Sequence, residues 1–315
     1  MSGLVLALAG GVGGAKLALG LSRILPPGRL AIVVNTGDDE RFHGLHVSPD
    51  LDTMTYTLSG LYNPETGWGI DGDSFETLQM LNRLGADTWF NLGSRDLAMH
   101  IRRTDLLSQG STLSEVTSQL TTHLGIQHPI IPMSDQPVRT VIDTNEGTLS
   151  MQEYFVKRRA EPVVKSISYL GSADAQPSPG FASALDAAAA IVICPSNPFL
   201  SVAPILALPG VRDAIAEHRA PRVAVSPIVG GAAVRGPAGK IMEELGTDVS
   251  AVGVAREYRE ICDVLVLDSQ DENLADAVGA EGVEAAVMPT IMQTDADKVR
   301  LAVGVLELAA DLESR

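Results

Sequence analysis

The first twenty-five residues restrict the fold most. A run of apolar residues, LVLALA (4–9), ends in GGVGG and continues as AKLALGLSRIL (15–25), which has helical periodicity. The run shows no polar alternation, so a strand there is covered on both faces. A second run, LAIVVNT (30–36), follows after a short break, and AIVIC (190–194), RVAVS (222–226), DVLVLD (263–268) and EAAVMP (284–289) repeat the pattern. Helical stretches separate them, among them 239–245 and 295–310. Apolar strands alternating with helices predict an α/β fold: a Rossmann-like, mainly parallel sheet with helices on both faces. Ligands of such sheets collect at the carboxyl ends of the strands.

Residues 65–175 break the rhythm and read as an insertion between two parts of the core, 1–64 and 176–315. Within it, 75–128 is helix-like, and NEG (145–147) between alternating segments predicts a β-hairpin over 137–157. The chain of 315 residues carries a formal net charge of -16. That balance argues against non-specific nucleic-acid binding, which needs a basic footprint. A small anion remains compatible, because backbone N–H groups and a metal can supply local positive charge. Cys194 and Cys262 lie in or beside apolar runs and read as buried thiols, with no zinc-ligand spacing. The N-terminal apolar run is too short to span a bilayer, and nothing else reaches spanning length. The expectation is a soluble, cytoplasmic protein.

Several strand ends carry chemistry-bearing residues. LAGGVGGAK (8–16) places glycines between a strand and a helix, where backbone can approach a phosphate or simply turn tightly. It is neither a P-loop nor a full dinucleotide fingerprint: Lys16 stands at the third glycine position, and the second strand ends in Asn35-Thr36 rather than an acid. A nicotinamide-dependent oxidoreductase is disfavoured on that ground. NTGDDERFHGLHVSPDLDT (35–53) holds two acidic pairs. Ser48 and Pro49 look like the N-cap and first residue of a helix, so Asp50 and Asp52 are either helix-start acids or site residues. Residues two apart on a helix diverge, and Leu51, Met54, Leu58 and Leu61 mark the buried stripe, so Asp50 and Asp52 flank it on different sides. One acid from each pair could hold a Mg²⁺, and His43 and His46 read as loop or supporting residues. CPSNPF (194–199) offers Ser196 and Asn197 as donors or as a turn capping the next helix. SPIVGGAAVRGPAGK (226–240) presents Ser226, Gly230 and Gly231 at another strand end, with Arg235 and Lys240 as phosphate-neutralising or surface cations. In LGSRD (92–96), Arg95 beside Asp96 is a capping pair or a ligand clamp.

Taken in order, GGVGGAK, VVNTGDD, HGLHVSPDLDT, GWGIDGDSFETL, LGSRD, PMSDQPVRT, PSNPFLSVAPILALPGVR, VAVSPIVGGAAVRGPAGK and MPTIMQTD resemble the 2-phospho-L-lactate transferase family over nearly the whole chain. The resemblance implies an enzyme of coenzyme F-420 biosynthesis. Such an enzyme moves a phospho-acid unit (2-phospholactate, phosphoenolpyruvate or 3-phosphoglycerate) from its guanosine diphosphate conjugate to the terminal ribityl hydroxyl of 7,8-didemethyl-8-hydroxy-5-deazariboflavin. GMP leaves, Mg²⁺ is required, and the protein is a homodimer. Carried over by position, Asp38 and Asp50 hold the metal, with Asp52 beside them at the reacting phosphate, and Asp50 and Arg95 bind the deazaflavin. Gly10, Gly11, Gly13, Gly14, Lys16, Ser196, Asn197, Ser226, Pro227 and Gly230 contact the phosphates and guanosine. Asp52 or Asp39 is the expected acceptor of the hydroxyl proton. One departure stands out: the arginine motif commonly begins Gly-Asp, and here Ser94 replaces that acid. The competing reading is a non-enzymatic nucleotide-sugar-binding regulator of the gluconeogenesis-factor type. HGLHVSPDLDT and GWGIDGD favour a transferase, which must hold a second substrate.

Overall fold

All the apolar runs become strands of one sheet. In chain order these are β1 (Leu4–Ala9), β2 (Leu30–Val34), β3 (Ile130–Pro132), β4 (Ala188–Ile193), β5 (Arg222–Val225), β6 (Val264–Leu267) and β7 (Glu284–Val287). The computed structural model describes residues 3–314. The order across the sheet is β3-β2-β1-β4-β5-β6-β7, and every pairing is parallel. This is the doubly wound arrangement, with its crossover reversal between β1 and β4. Alternate residues of β1 feed two cores. Val5, Ala7 and Ala9 pack with Leu17, Leu21 and Leu301 on one face, whereas Leu6 and Leu8 pack with Phe181 and Ile205 on the other. Each fully buried leucine contributes roughly 1.5–3 kcal/mol.

Four helices position the site: α1 (Gly11–Ile24), α2 (Pro49–Ser59), α3 (Asp96–Ser108) and α4 (Asp295–Glu313). The first of these starts at Gly11, not at residue 15 as its periodicity predicts. Glycine disfavours helix by about 1 kcal/mol per residue, so the opening turn reads as loop. Packing overrides that preference. A Cβ on Gly13 would collide with the Pro195 carbonyl beyond β4, and one on Gly20 would collide with the Lys298 carbonyl of α4. Leu61, expected on the buried stripe of α2, lies beyond the helix end and is exposed.

Between α2 and β4 the chain holds helices Glu76–Arg83, α3 and Leu113–His123, then returns to the sheet as β3 before leaving again. The stretch read as one insertion therefore contains an edge strand of the core sheet. Ile-Ile-Pro is too short to show a period, and its proline suits an edge. The hairpin forms from Arg139–Thr144 and Gly147–Ser150. It ends sooner than expected, because Glu153–Lys157 is a π-helix, and Val164–Leu170 adds a third antiparallel strand. Among the described residues, no helix is long and apolar enough to cross a membrane.

Candidate active site

The carboxyl ends of β1, β2, β4, β5 and β7 open into one cavity of about 710 Å³. Gly10, Gly11, Gly13 and Lys16 line it from the β1–α1 turn, Asp38 from the loop after β2, and Asp50 and Asp52 from α2. Ser196 and Asn197 enter after β4, and Ser226 and Pro227 after β5. Apolar side chains, including Trp68, Phe90, Met151 and Phe155, complete the wall from outside the core sheet.

Asp50 sits in the first turn of α2 and points at the start of α1. Its Oδ1 accepts the Gly11 N–H at 2.7 Å, and its Oδ2 accepts the Asn35 amide at 3.0 Å. The same amide lies 3.1 Å from Asp38 Oδ1, and Gln152 Nε2 donates to the Asp38 carbonyl at 3.2 Å and to Oδ2 at 3.4 Å. Both carboxylates are buried. Burial pushes Asp50 up to about 6, against the Asn35 and Gly11 hydrogen bonds, with the charge of Asp39 adding to the rise. Burial raises Asp38 well above the ordinary carboxylate range, and the charges of Asp50, Asp39 and Asp52 push the same way.

Asp52 is in a different environment on the same helical turn. Arg103 of α3 grips it with both terminal nitrogens, Nη1 at 3.2 Å from Oδ2 and Nη2 on Oδ1. The Ser48 N–H donates to Oδ2 at 3.3 Å, and His100 Nδ1 lies 3.7 Å away. Burial works against the Arg103 charge, but the charge and hydrogen bonds of Asp52 outweigh it and raise the guanidinium pKa. Both Asp52 oxygens are thus engaged by the chain, which leaves the carboxylate poorly placed for the base role expected of it. Asp39 is no better placed. It is absent from the cavity wall, and its Oδ2 accepts from His46 and Ser48, each at 2.8 Å. The Ser48 hydroxyl thus serves Asp39 and makes no cap to α2.

Three expected contact residues lie off the cavity wall. Gly14 packs on Ser196 and Ala9, and the Gly230 N–H donates to the Asp271 carboxylate at 3.0–3.1 Å. Arg95 is exposed: its N–H donates to Asp73 and its guanidinium to the Asp71 carbonyl at 3.2 Å, so Asp73 organises the LGSRD turn. Ser196 is tied to Gly10 through both its accepting and donating hydroxyl bonds, and Ser226 makes a local turn with Ile228. Asn197 caps the following helical turn by accepting from Phe199 and Leu200, while its buried Nδ2 finds no partner among the described residues. Cationic character comes from Lys16, whose ammonium donates to the Met292 carbonyl at 2.8 Å, and from Arg235, whose guanidinium reaches the Thr66 carbonyl. Burial, then the charges of Arg235 and Lys298, lower the Lys16 pKa.

The motifs do not single out Asn35, Gln152 or Arg103, nor the wall residues Phe90, Met151 and Phe155. In the sequence Asn35 reads only as a missing acid; in the structure its amide nitrogen faces Asp38, Asp50 and the Leu200 carbonyl. Arg103 lies 51 residues from Asp52, with no local signal to join them.

Chemically, the cavity combines buried carboxylates, a helix start and two cations. Among the described residues, no three His, Cys, Asp or Glu side chains are grouped as metal ligands. A Mg²⁺ needs only one or two carboxylates, with water and phosphate completing its shell. Asp38 and Asp50 fit that demand: hard oxygen donors, buried, sharing one amide and, among the described residues, bonded to no cationic side chain.

Sheet order and site together define a Rossmann-like protein with one cavity at its strand ends. The family described as "2-phospho-L-lactate transferase CofD" matches residues 5–303, and the chain belongs to it. It is 40% identical over 293 residues to the 2-phospho-L-lactate transferase of Methanosarcina mazei, covering 93% of this chain and 96% of that one. It is also 40% identical over 317 residues to the phosphoenolpyruvate transferase of Streptomyces griseus, covering 98% and 99%. The protein is therefore an enzyme, a phospho-acid transferase of F-420 biosynthesis of the 2-phospholactate or phosphoenolpyruvate type. Among solved structures, protein BH3568 of Bacillus halodurans superimposes with a TM-score of 0.65 at 16% identity, covering 97% of this chain and 100% of that one. At that identity the likeness establishes the fold alone. Family membership favours the transferase over the regulator.

Proposed function

We propose that this cavity joins a guanosine diphosphate phospho-acid conjugate to the terminal ribityl hydroxyl of the deazariboflavin, with one Mg²⁺ held by Asp38 and Asp50. One observation carries the metal assignment. Four carboxylates, Asp38, Asp39, Asp50 and Asp52, are buried together, and Arg103 is the only Lys or Arg in hydrogen-bond contact with them among the described residues. An uncompensated buried charge is costly, so the site favours a cation.

In the proposed reaction the acceptor oxygen bonds to the phosphorus bearing the acid, and the bond from that phosphorus to the GMP oxygen breaks. The hydroxyl proton leaves to solvent or a phosphate oxygen, since Asp52 is engaged and Asp39 does not line the cavity. A bound Mg²⁺ would supply charge neutralisation at the phosphates. Lys16, Arg235 and the Asn197 amide orient the diphosphate, and the aromatic wall seats the flat acceptor ring. Displacement at phosphorus depends mainly on such positioning and charge stabilisation. Asp50, placed between α1 and the carboxylate cluster, lies where acceptor and phosphate meet. Arg95 binds the acceptor only by turning from Asp71 toward the cavity.

The deciding experiment incubates the protein with deazariboflavin, Mg²⁺ and each of the three guanylylated phospho-acids. Mass spectrometry should find GMP and a phosphodiester product with the 2-phospholactate or phosphoenolpyruvate donor. Tight guanosine-nucleotide binding with no product from any donor overturns the reading. A homodimer, proposed from the family resemblance, should give a light-scattering mass near twice 33.1 kDa.

A further inference from the structure

We propose that Asn35 is a positioning residue that sets the separation and orientation of Asp38 and Asp50 so that they can share one divalent cation. This deepens the metal assignment above and rests on it. Asn35 is fully buried just past the end of β2. Its Oδ1 accepts the Gly37 N–H at 2.7 Å, and an N–H can only donate, so that bond identifies the oxygen end of the amide. The Nδ2 end therefore faces Asp38 Oδ1 at 3.1 Å, Asp50 Oδ2 at 3.0 Å and the Leu200 carbonyl at 3.2 Å.

An amide nitrogen has two hydrogens, and three acceptors surround this one. At least one acceptor is left short at any moment, and neither carboxylate is saturated by Asn35. The amide holds two carboxyl groups on either side of a weak donor without saturating them. That arrangement leaves electron pairs directed at a further positive partner, and Asn35 chooses which oxygens remain for it. An aspartate at this position, as dinucleotide-binding folds often carry, would remove the donor and add a negative charge. An alanine would leave the two carboxylates with nothing between them.

A purely structural alternative makes Asn35 a clasp that ties the end of β2 to the turn after β4 through Gly37 and Leu200. Metal binding separates the two. Asn35→Ala, Asn35→Ser and the unsubstituted protein are titrated with Mn²⁺ alone, and free Mn²⁺ is read by electron paramagnetic resonance. Thermal unfolding checks that each is folded. The unsubstituted protein should bind one Mn²⁺. Outer ligand partners typically contribute about 10- to 100-fold to metal affinity. Asn35→Ala should therefore weaken binding by about that factor, and Asn35→Ser, which keeps one donor, by less. Should the alanine protein fail to fold, the serine protein alone decides. Folded variants that bind Mn²⁺ within twofold of the unsubstituted protein overturn the role of Asn35 and leave the metal assignment standing. No Mn²⁺ binding by the unsubstituted protein at millimolar concentration overturns both.

Discussion

Asp50 and Asp52 are the same chemical group, two residues apart on one helical turn, yet their surroundings are opposite. Asp52 turns toward α3 and is matched by Arg103. Asp50 turns toward the cavity and, among the described residues, is matched only by the Gly11 N–H and the Asn35 amide it shares with Asp38. One flank of α2 is electrostatically finished, and the other is left open. The difference shows how a fold separates acids that hold it together from acids that wait for a ligand: the first receive a cation from the chain, the second only dipoles.

The most forceful way to break the contrast is to unpair the finished flank. Arg103→Ala should cost about 3–5 kcal/mol of stability, because it leaves the Asp52 charge buried without its guanidinium partner. Denaturant unfolding measures it, and a loss below 1 kcal/mol would mean that water reaches Asp52 freely. The open flank should respond in the opposite sense. Asp50→Asn should keep or improve stability while turnover falls by about 10²–10³-fold, the usual scale for losing one key charge-stabilising group. Normal turnover and metal dependence in that variant would remove Asp50 from the metal site.

Acidity sharpens the comparison further. The Asp50 carboxyl rises from 3.8 to about 6 on folding, so between these values the folded protein holds a proton that the unfolded chain has released. Without metal, Asp50 should therefore make stability fall as pH rises from about 4 through about 6, its own share being at most ~3 kcal/mol, and Asp38 adds to the fall in the same direction. Unfolding temperatures across that range should fall more steeply in the parent than in Asp50→Asn, and equal slopes would place the effect elsewhere. The mildest perturbation lies across the cavity. Arg235→Ala should raise the KM for the guanylylated donor about tenfold, the scale of one charge-assisted hydrogen bond, with a smaller change in kcat. A KM shift for the deazaflavin alone would instead assign Arg235 to the acceptor.

How much of this was legible follows from what each feature depends on. LVLALA and LAIVV announce buried parallel strands through composition alone, and their order along the chain leads to the doubly wound fold. Ile130–Pro132 does not, because three residues carry no period and their strand character comes wholly from pairing with β2. The divergence of Asp50 and Asp52 follows from helical geometry and holds in the structure, since the two face different partners. What each meets did not follow, because Arg103 arrives from another helix. Asn35 is the instructive case: the sequence shows only that the second strand lacks a terminal acid, and the amide's place between Asp38 and Asp50 depends on residues 3 and 15 positions away. Arg95 is the reverse case, a motif residue whose exposed side chain lies outside the cavity wall and donates to the Asp71 carbonyl.

The glycines of α1 bear on how such chains are classified by descent. Gly13 and Gly20 have no room for a side chain, because backbone carbonyls of Pro195 and Lys298, not a ligand, stand where a Cβ would go. A descendant that abandoned the chemistry would still be obliged to keep both, whereas Asn35, Asp38 and Asp50 would be free to drift. The glycine signature is thus an heirloom of architecture, able to outlive the trade it once served. Membership in the working lineage is better judged by the two acids and the amide between them.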